Sequence, residues 1–267
     1  MSFQPRSSRL ISAAAPWGWA LSGGLIGLAL ALVFFAPAAW LAAALQAATQ
    51  GQVQVIEPRG TLWTGSGRLL LAGGSGSRSS AALPGRIEWT LRPAWVGLSL
   101  KLDAACCTST PLQARMQWGW DAQVLRFDNS SSTWPTAMLA GLGTPWNTVQ
   151  AEGSLQVTTQ DLSIERVSGR LILGGSAQLC AMDVSSRLST VRPMGSYQLR
   201  LAGGAVPTLE LTTLSGTLKL SGKGNWVGPR LRFSGVASVE PEMSGAFTNL
   251  LNIIGRRQGA QSIITLG

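Results

Sequence analysis

An uncharged stretch between Arg9 and Glu57 constrains this chain more than any other feature of its sequence. Nine of the 19 residues from position 17 to position 35 are Leu, Ile, Val or Phe, and none is charged. Each of those side chains favours insertion at the centre of a membrane helix by about 0.3–0.6 kcal/mol, so together they contribute about 3–5 kcal/mol. About 20 apolar helical residues cross the hydrocarbon core of a bilayer. We therefore predict a transmembrane anchor with a helical extension over residues 17–45.

The basic residues before this stretch predict its orientation. Arg6 and Arg9 precede it, and no acidic residue occurs before Glu57. Because positively charged flanks stay in the cytoplasm, residues 1–16 are predicted to be cytoplasmic and the later chain to be exported. A cleaved signal peptide is the alternative, but its apolar region is usually about 7–15 residues long and this one is longer. Both interpretations place residues 52–267 outside the cytoplasm.

The rest of the chain has the composition of an exported β protein. The sequence contains 32 Gly and 13 Pro, and only 12% of its residues are charged. Segments rich in strand formers recur between Gly, Pro and Asn turns from residue 52 to the C-terminus. They predict an all-β domain of mainly antiparallel strands, arranged as two similar β layers or as one curled sheet. Short helices are expected near residues 134–141 and 245–255, the second from apolar residues at three- and four-residue spacing.

A repeated segment leaves the division of this β domain open. Residues 66–74 read SGRLLLAGG and residues 168–175 read SGRLILGG. Such a match indicates duplicated halves at 52–142 and 148–267, but any β protein rich in Gly and Leu also produces it. One continuous domain at 52–267 is the alternative.

The sequence lacks the residue types that most enzyme sites need. It has no His, and its 12 acidic residues are dispersed. Since His most often supplies the base that catalysis requires near neutral pH, we predict that the protein is not an enzyme and holds neither a cofactor nor a metal. The net charge is +9, but Arg256 and Arg257 are the only adjacent basic pair. The charge therefore predicts solvated strand faces with weak attraction to anionic membranes, and no nucleic-acid binding.

The chain contains three cysteines, Cys106, Cys107 and Cys180. In an oxidising compartment two of them are expected to pair. Adjacent cysteines rarely bond to each other, so a bridge from Cys180 to Cys106 or Cys107 is the expected arrangement. Three buried free thiols are the alternative.

Tryptophan is unusually frequent, with 11 Trp against one Tyr. Several of these residues lie in strand patterns and are expected to be mostly in the core, with one or two left as contacts for a partner. They are Trp63, Trp89, Trp95, Trp118 and Trp226.

The most specific motif is the segment GTLWTGSG at residues 60–67. Its named positions are Gly60, Thr61, Leu62, Trp63, Gly65 and Gly67. The first glycine permits a turn, the next residues are strand formers, and the last two glycines suit a bulge or a close backbone approach. We expect a tight strand–turn element that Trp63 packs, with a structural role.

With this motif a few tens of residues after a single apolar span, the chain resembles protein N of the bacterial type II secretion system, the GspN family. Residues 185–190, 195–197 and 250–257 also resemble later segments of that family. The resemblance implies a non-enzymatic component of the cell inner membrane with its β domain in the periplasm. Its implied partners are the inner-membrane assembly platform and the outer-membrane secretin.

The same family is similar to AsmA-like proteins, whose curled β-sheets hold lipid in grooves. Handling of membrane lipid in the periplasm is therefore the alternative function. For the scaffold function, the uncharged strands at 52–56 and 262–266 are candidates for edges to which a tethered partner adds a strand. Their alternative is that both simply pair inside the domain.

Overall fold

The computed structural model describes residues 17–74, 79–120, 122–167, 170–228 and 230–267. The predicted cytoplasmic segment 1–16 and the first two residues of the repeat at 168–175 lie outside these ranges. The chain forms two compact units, Met1–Ala36 and Pro37–Gly267.

The first unit contains the apolar helix α1, Trp17–Phe34. Its 18 residues have a mean hydropathy of 1.8, and none of them is buried. The helix is therefore long and apolar enough to cross a membrane, as the sequence predicted.

The second unit begins with helix α2, Ala38–Ala48, directly after Pro37. Proline lacks an N–H and suits only the start of a helix, so a new helix begins after it. The side chains of Ala38, Leu41 and Leu45 on one face of α2 pack against the apolar cluster that contains Val55.

Sixteen strands form one sheet in the described part of the second unit. They are β1 (Val53–Gly60), β2 (Thr64–Ala72), β3 (Ser80–Ala82), β4 (Ile87–Ala94), β5 (Gly97–Ala104), β6 (Leu112–Trp118), β7 (Ala122–Phe127), β8 (Ser130–Pro135), β9 (Glu152–Val167), β10 (Arg170–Ser185), β11 (Gly195–Gly204), β12 (Thr208–Gly216), β13 (Lys219–Val227), β14 (Arg230–Ser238), β15 (Arg256–Gln258) and β16 (Gln261–Leu266).

The pairing order is β1-β2-β4-β5-β6-β7-β9-β10-β11-β12-β13-β14-β16-β15, with β3 beside β2 and β8 beside β9. Every paired set of strands is antiparallel. Within the described residues β1 and β15 end this order without pairing to each other, so the sheet is open. The predicted mainly antiparallel all-β fold is confirmed, in the form of one continuous sheet.

Short helices follow two of the strands, as the sequence predicted. A 3₁₀ helix, Thr136–Leu142, and helix α3, Trp146–Val149, connect β8 to β9. A second 3₁₀ helix, Pro241–Phe247, leads into helix α4, Thr248–Ile254, between β14 and β15. The first of these helices starts slightly later than expected because β8 extends through Pro135.

Two clusters of buried apolar side chains pack against the sheet. One contains Ile87 and Trp89 with partners drawn from residues 38–138. The other contains Phe247 and Leu251 with partners drawn from residues 149–264. Although the clusters fall on either side of the short connection between the first 3₁₀ helix and α3, β7 pairs with β9 across it, so the sheet continues from one cluster to the other.

Candidate functional site

The motif at residues 60–67 forms the turn between β1 and β2. Gly60 has a φ of +87°, a conformation that favours glycine. A Cβ added there would lie 2.6 Å from the carbonyl oxygen of Thr64. The N–H of Thr61 donates to that carbonyl at 2.8 Å, and the N–H of Thr64 donates to the Thr61 hydroxyl at 3.1 Å. The turn is therefore held by its own residues and requires glycine at its first position.

Trp89 of β4, rather than Trp63, is the tryptophan that is buried against this element. Its side chain is 4% exposed, whereas Trp63 is half-buried. The indole N–H of Trp89 donates to the Leu62 carbonyl at 3.2 Å. A Cβ added to Gly65 would lie 2.5 Å from the Trp89 ring, and one added to Gly67 would overlap the Val55 side chain. The two glycines thus leave room for an indole ring and an apolar side chain from neighbouring strands.

A pattern in the sequence identifies this ring. Ile87 and Trp89 occupy alternate positions of β4 and are both buried, while Glu88 between them is exposed. Because alternate residues of a strand point to one face, the pattern Ile-Glu-Trp places the indole on the buried face. The other tryptophans of strand patterns divide: Trp63 and Trp226 are half-buried, whereas Trp95 is 105% exposed and Trp118 is 45% exposed, so these last two lie outside the core.

The structure pairs the cysteines differently from the expected bridge. Cys106 and Cys107 are bonded to each other, and Cys180 is a free thiol. The N–H of Thr133 in β8 donates to the Cys107 carbonyl. Thr133 pairs with Gln156 in β9, and Gln156 pairs on its other side with Cys180 in β10. Three strand spacings of about 4.8 Å separate Cys107 from Cys180 by about 14 Å. A disulfide needs Cα atoms about 4.4–6.8 Å apart, so this register does not allow the expected bridge.

The open edge at β1 is partly covered. The N–H of Ala72 donates to the carbonyl of Gln52, so the backbone groups of Val53 and Val55 point away from β2. The hydroxyl of Thr49 lies 3.1 Å from both the N–H and the carbonyl of Val53. In the candidate edge at residues 52–56, this leaves Val55 as the residue whose backbone groups point outward without such cover. Its side chain is buried.

The second candidate edge, residues 262–266, is paired on both sides at its start. β16 lies between β14 and β15, and Ser262 and Ile263 have partners on both strands. The chain turns back after α4 and forms a hairpin that covers the first three residues of β16, which leaves the three-residue strand β15 at the end of the order. Short or covered edges resist the addition of a foreign strand.

The described residues contain no group of three or more metal-ligating side chains. A charged groove crosses β6, β7 and β9, where Arg115 pairs with Asp128 at 2.8 Å. These side chains are 60% and 36% exposed, and ion pairs of this kind contribute about 0–1 kcal/mol.

Burial raises the pKa of Tyr197, whose hydroxyl donates to the Leu218 carbonyl at 3.2 Å. Tyr197 belongs to the second apolar cluster, and this hydrogen bond satisfies its hydroxyl there.

The sheet described above corresponds to a known protein family. The sequence model of type II secretion system protein N matches residues 51–264. The chain belongs to that family. The match begins just before β1 and ends inside β16, so it covers all the strand pairing except that of the last two residues of β16 and excludes α1 and α2. No curated protein and no solved structure matches the chain.

Proposed function

We propose that this member of the type II secretion system protein N family is a non-enzymatic component that α1 anchors in the cell inner membrane. Its β domain, residues 52–267, lies in the periplasm. There it supports assembly of the secretion system or contacts between the inner-membrane platform and the outer-membrane secretin. The family match over residues 51–264 carries this proposal.

The apolar helix supports the membrane part of the proposal. The 18-residue window of α1 has a mean hydropathy of 1.8 and no buried residue. Exposed Leu, Ile, Val and Phe side chains are unfavourable in water and favourable in lipid. The only charges in the sequence near its start are basic, at Arg6 and Arg9, which favours a cytoplasmic N-terminus.

The sheet edges limit how a partner binds to the domain. Thr49 covers the start of β1, and β15 is only three residues long, so neither edge offers a long row of outward backbone groups. Strand addition needs such a row. We therefore propose that secretion partners contact side chains of the domain and that tethering in the membrane raises their effective concentration.

A second candidate function is the handling of lipid, which the openness of the sheet favours. In the described residues β1 and β15 do not close the sheet into a barrel. An open sheet gives an apolar ligand access to its inner face. The test is to extract the protein from the bilayer, exchange it into detergent and analyse it for bound lipid. Lipid that remains bound favours this function over scaffolding.

A reporter that is active only in the periplasm, fused after Gly267, tests the topology. We expect full reporter activity in the wild-type fusion. The matched control replaces Arg6 and Arg9 with Glu, which removes the positive flank and lowers the periplasmic activity. A fusion that is active only in the cytoplasm contradicts the proposed anchor orientation.

A further inference from the structure

Besides the turn between β1 and β2, the antiparallel order brings five further hairpin turns to one end of the sheet. These turns join β4 to β5, β6 to β7, β9 to β10, β11 to β12, and β13 to β14. The registers confirm the alignment, because Ala122 pairs with Val167, Leu173 with Gly204, and Thr208 with Asn225, each beside a turn. We call the apolar side chains at these turns and at the end of β16 the strand-end surface. It consists of Trp95, Val96, Trp118, Trp120, Leu171, Ile172, Val206, Val227 and Leu266.

The apolar side chains of the strand-end surface are strongly exposed to solvent. Trp95 and Trp120 are each 105% exposed, and Leu171 is 72% exposed. Scattered exposed apolar residues are normal, but a series of them along one side indicates an interaction surface. At the opposite end the buried clusters around Leu83 and Phe247 cover most of the apolar side chains.

Basic side chains without carboxylate partners accompany this surface. Arg92, Arg166, Arg230 and Arg232 lie near the same turns and form no ion pair within the described residues. Two carboxylates, Glu165 and Glu210, lie on the same strand ends, and Lys223 pairs with the second at 3.6 Å. The described charges at this end are therefore mostly positive, which favours an anionic surface.

The chain enters the β domain at this same end. Pro37 forms an isolated bridge with Thr61 in the β1–β2 turn, and the N–H of Leu91 donates to the Trp63 carbonyl beside it. In the sequence only two residues separate Phe34, the last residue of α1, from Pro37. By chain length alone their Cα atoms are at most about 11 Å apart. The chain therefore connects α1 to this end of the domain through only two residues, 35 and 36.

We propose that the strand-end surface binds the surface of an anionic phospholipid bilayer, the same bilayer that holds α1. The inference rests on the membrane anchoring in the proposed function. Trp is enriched at membrane–water interfaces, because its ring is apolar while its N–H still reaches polar groups. Trp95 and Trp120 supply the rings, and the nearby arginines attract anionic headgroups.

Photo-crosslinking of the full-length chain in vesicles tests this surface. A photoreactive aromatic amino acid replaces Trp95 or Trp120, both of which are fully exposed, so the replacement leaves the fold intact. Trp146, 43% exposed at the opposite end of the sheet, is the matched control, and Leu28 in α1 reports insertion of the anchor. The vesicles contain phosphatidylethanolamine and phosphatidylglycerol, or phosphatidylcholine alone.

We expect lipid adducts at positions 28, 95 and 120, with about tenfold fewer at 146, since Trp-bearing surfaces lie at the membrane interface. In phosphatidylcholine the adducts at 95 and 120 should fall about fivefold, because the arginines lose their anionic partners. The yield at 28 should not change.

Four results overturn the proposal. Adducts at 28 with none at 95 and 120 refute the strand-end surface while leaving the anchor intact, whereas none at 28 refutes the anchor itself. Equal adducts at 95 and 120 in both vesicle types refute the anionic preference. Adducts to a protein instead of lipid, when the same variants are irradiated in cells, assign the surface to a protein partner.

Discussion

Replacing Trp89 with Ala tests how the motif at residues 60–67 is held together. The ring is 4% exposed and its N–H donates to the Leu62 carbonyl, so the substitution removes both apolar burial and a hydrogen bond. Removal of a buried Trp side chain costs about 3–5 kcal/mol. A domain of this size loses about 2–4 °C of melting temperature per kcal/mol, so we expect a loss of about 10 °C. Trp89→Phe keeps most of the ring and should fall between the wild type and Trp89→Ala.

Thermal unfolding of the full-length chain in mild detergent, followed by circular dichroism of the strands, measures this effect. Trp95→Ala is the matched control, because that side chain is 105% exposed and surface substitutions change stability by about 0.5 kcal/mol or less. If Trp89→Ala melts at the same temperature as Trp95→Ala, the indole does not support the turn and the packing argument is refuted.

Three further predictions concern the glycines, the thiols and the buried hydroxyl. Gly65→Ala should cost about 1–3 kcal/mol in unfolding experiments, because its Cβ would overlap the neighbouring indole, whereas Gly245→Ala has open space and should change little. Alkylation without reductant, followed by mass mapping, should modify Cys180 alone; a modified thiol within the bonded pair would contradict the structure. Burial raises the pKa of Tyr197, so the neutral form stabilises the fold below about pH 10 and that contribution is lost as the pH rises above it. Melting temperatures between about pH 8 and 11 should therefore fall less steeply for Tyr197→Phe than for the wild type.

Local sequence patterns predicted the parts of the fold that depend on neighbouring residues. The uncharged stretch predicted α1, and alternating strand formers between glycines predicted the antiparallel strands. The three- and four-residue spacing of Phe247, Leu250 and Leu251 predicted the helical segment near α4, where all three are buried.

Features that depend on strand register could not be predicted in the same way. Trp63 and Trp89 both lie in strand-like patterns, and only the pairing of Gly65 with Trp89 decides which ring is covered. Trp95 lies at the end of such a pattern, but the chain turns between Ala94 and Gly97, which leaves its ring outside the sheet.

The same argument holds for the cysteines and for the last strand. Two intervening strands separate Cys107 from Cys180, a distance that no local pattern contains. The stretch at residues 262–266 has the composition of an edge strand, but a hairpin to β15 and pairing with β14 place its first two residues, Ser262 and Ile263, inside the sheet.

Purification of the full-length chain from crosslinked cells tests the proposed role in secretion most directly. We predict that components of the inner-membrane platform or the outer-membrane secretin are recovered with it, and that cells lacking the chain secrete less type II substrate. Gly245→Ala provides a control for expression, because the added Cβ meets open space and leaves the fold intact. Recovery of no secretion component, together with unchanged secretion in cells that lack the chain, would contradict the proposal.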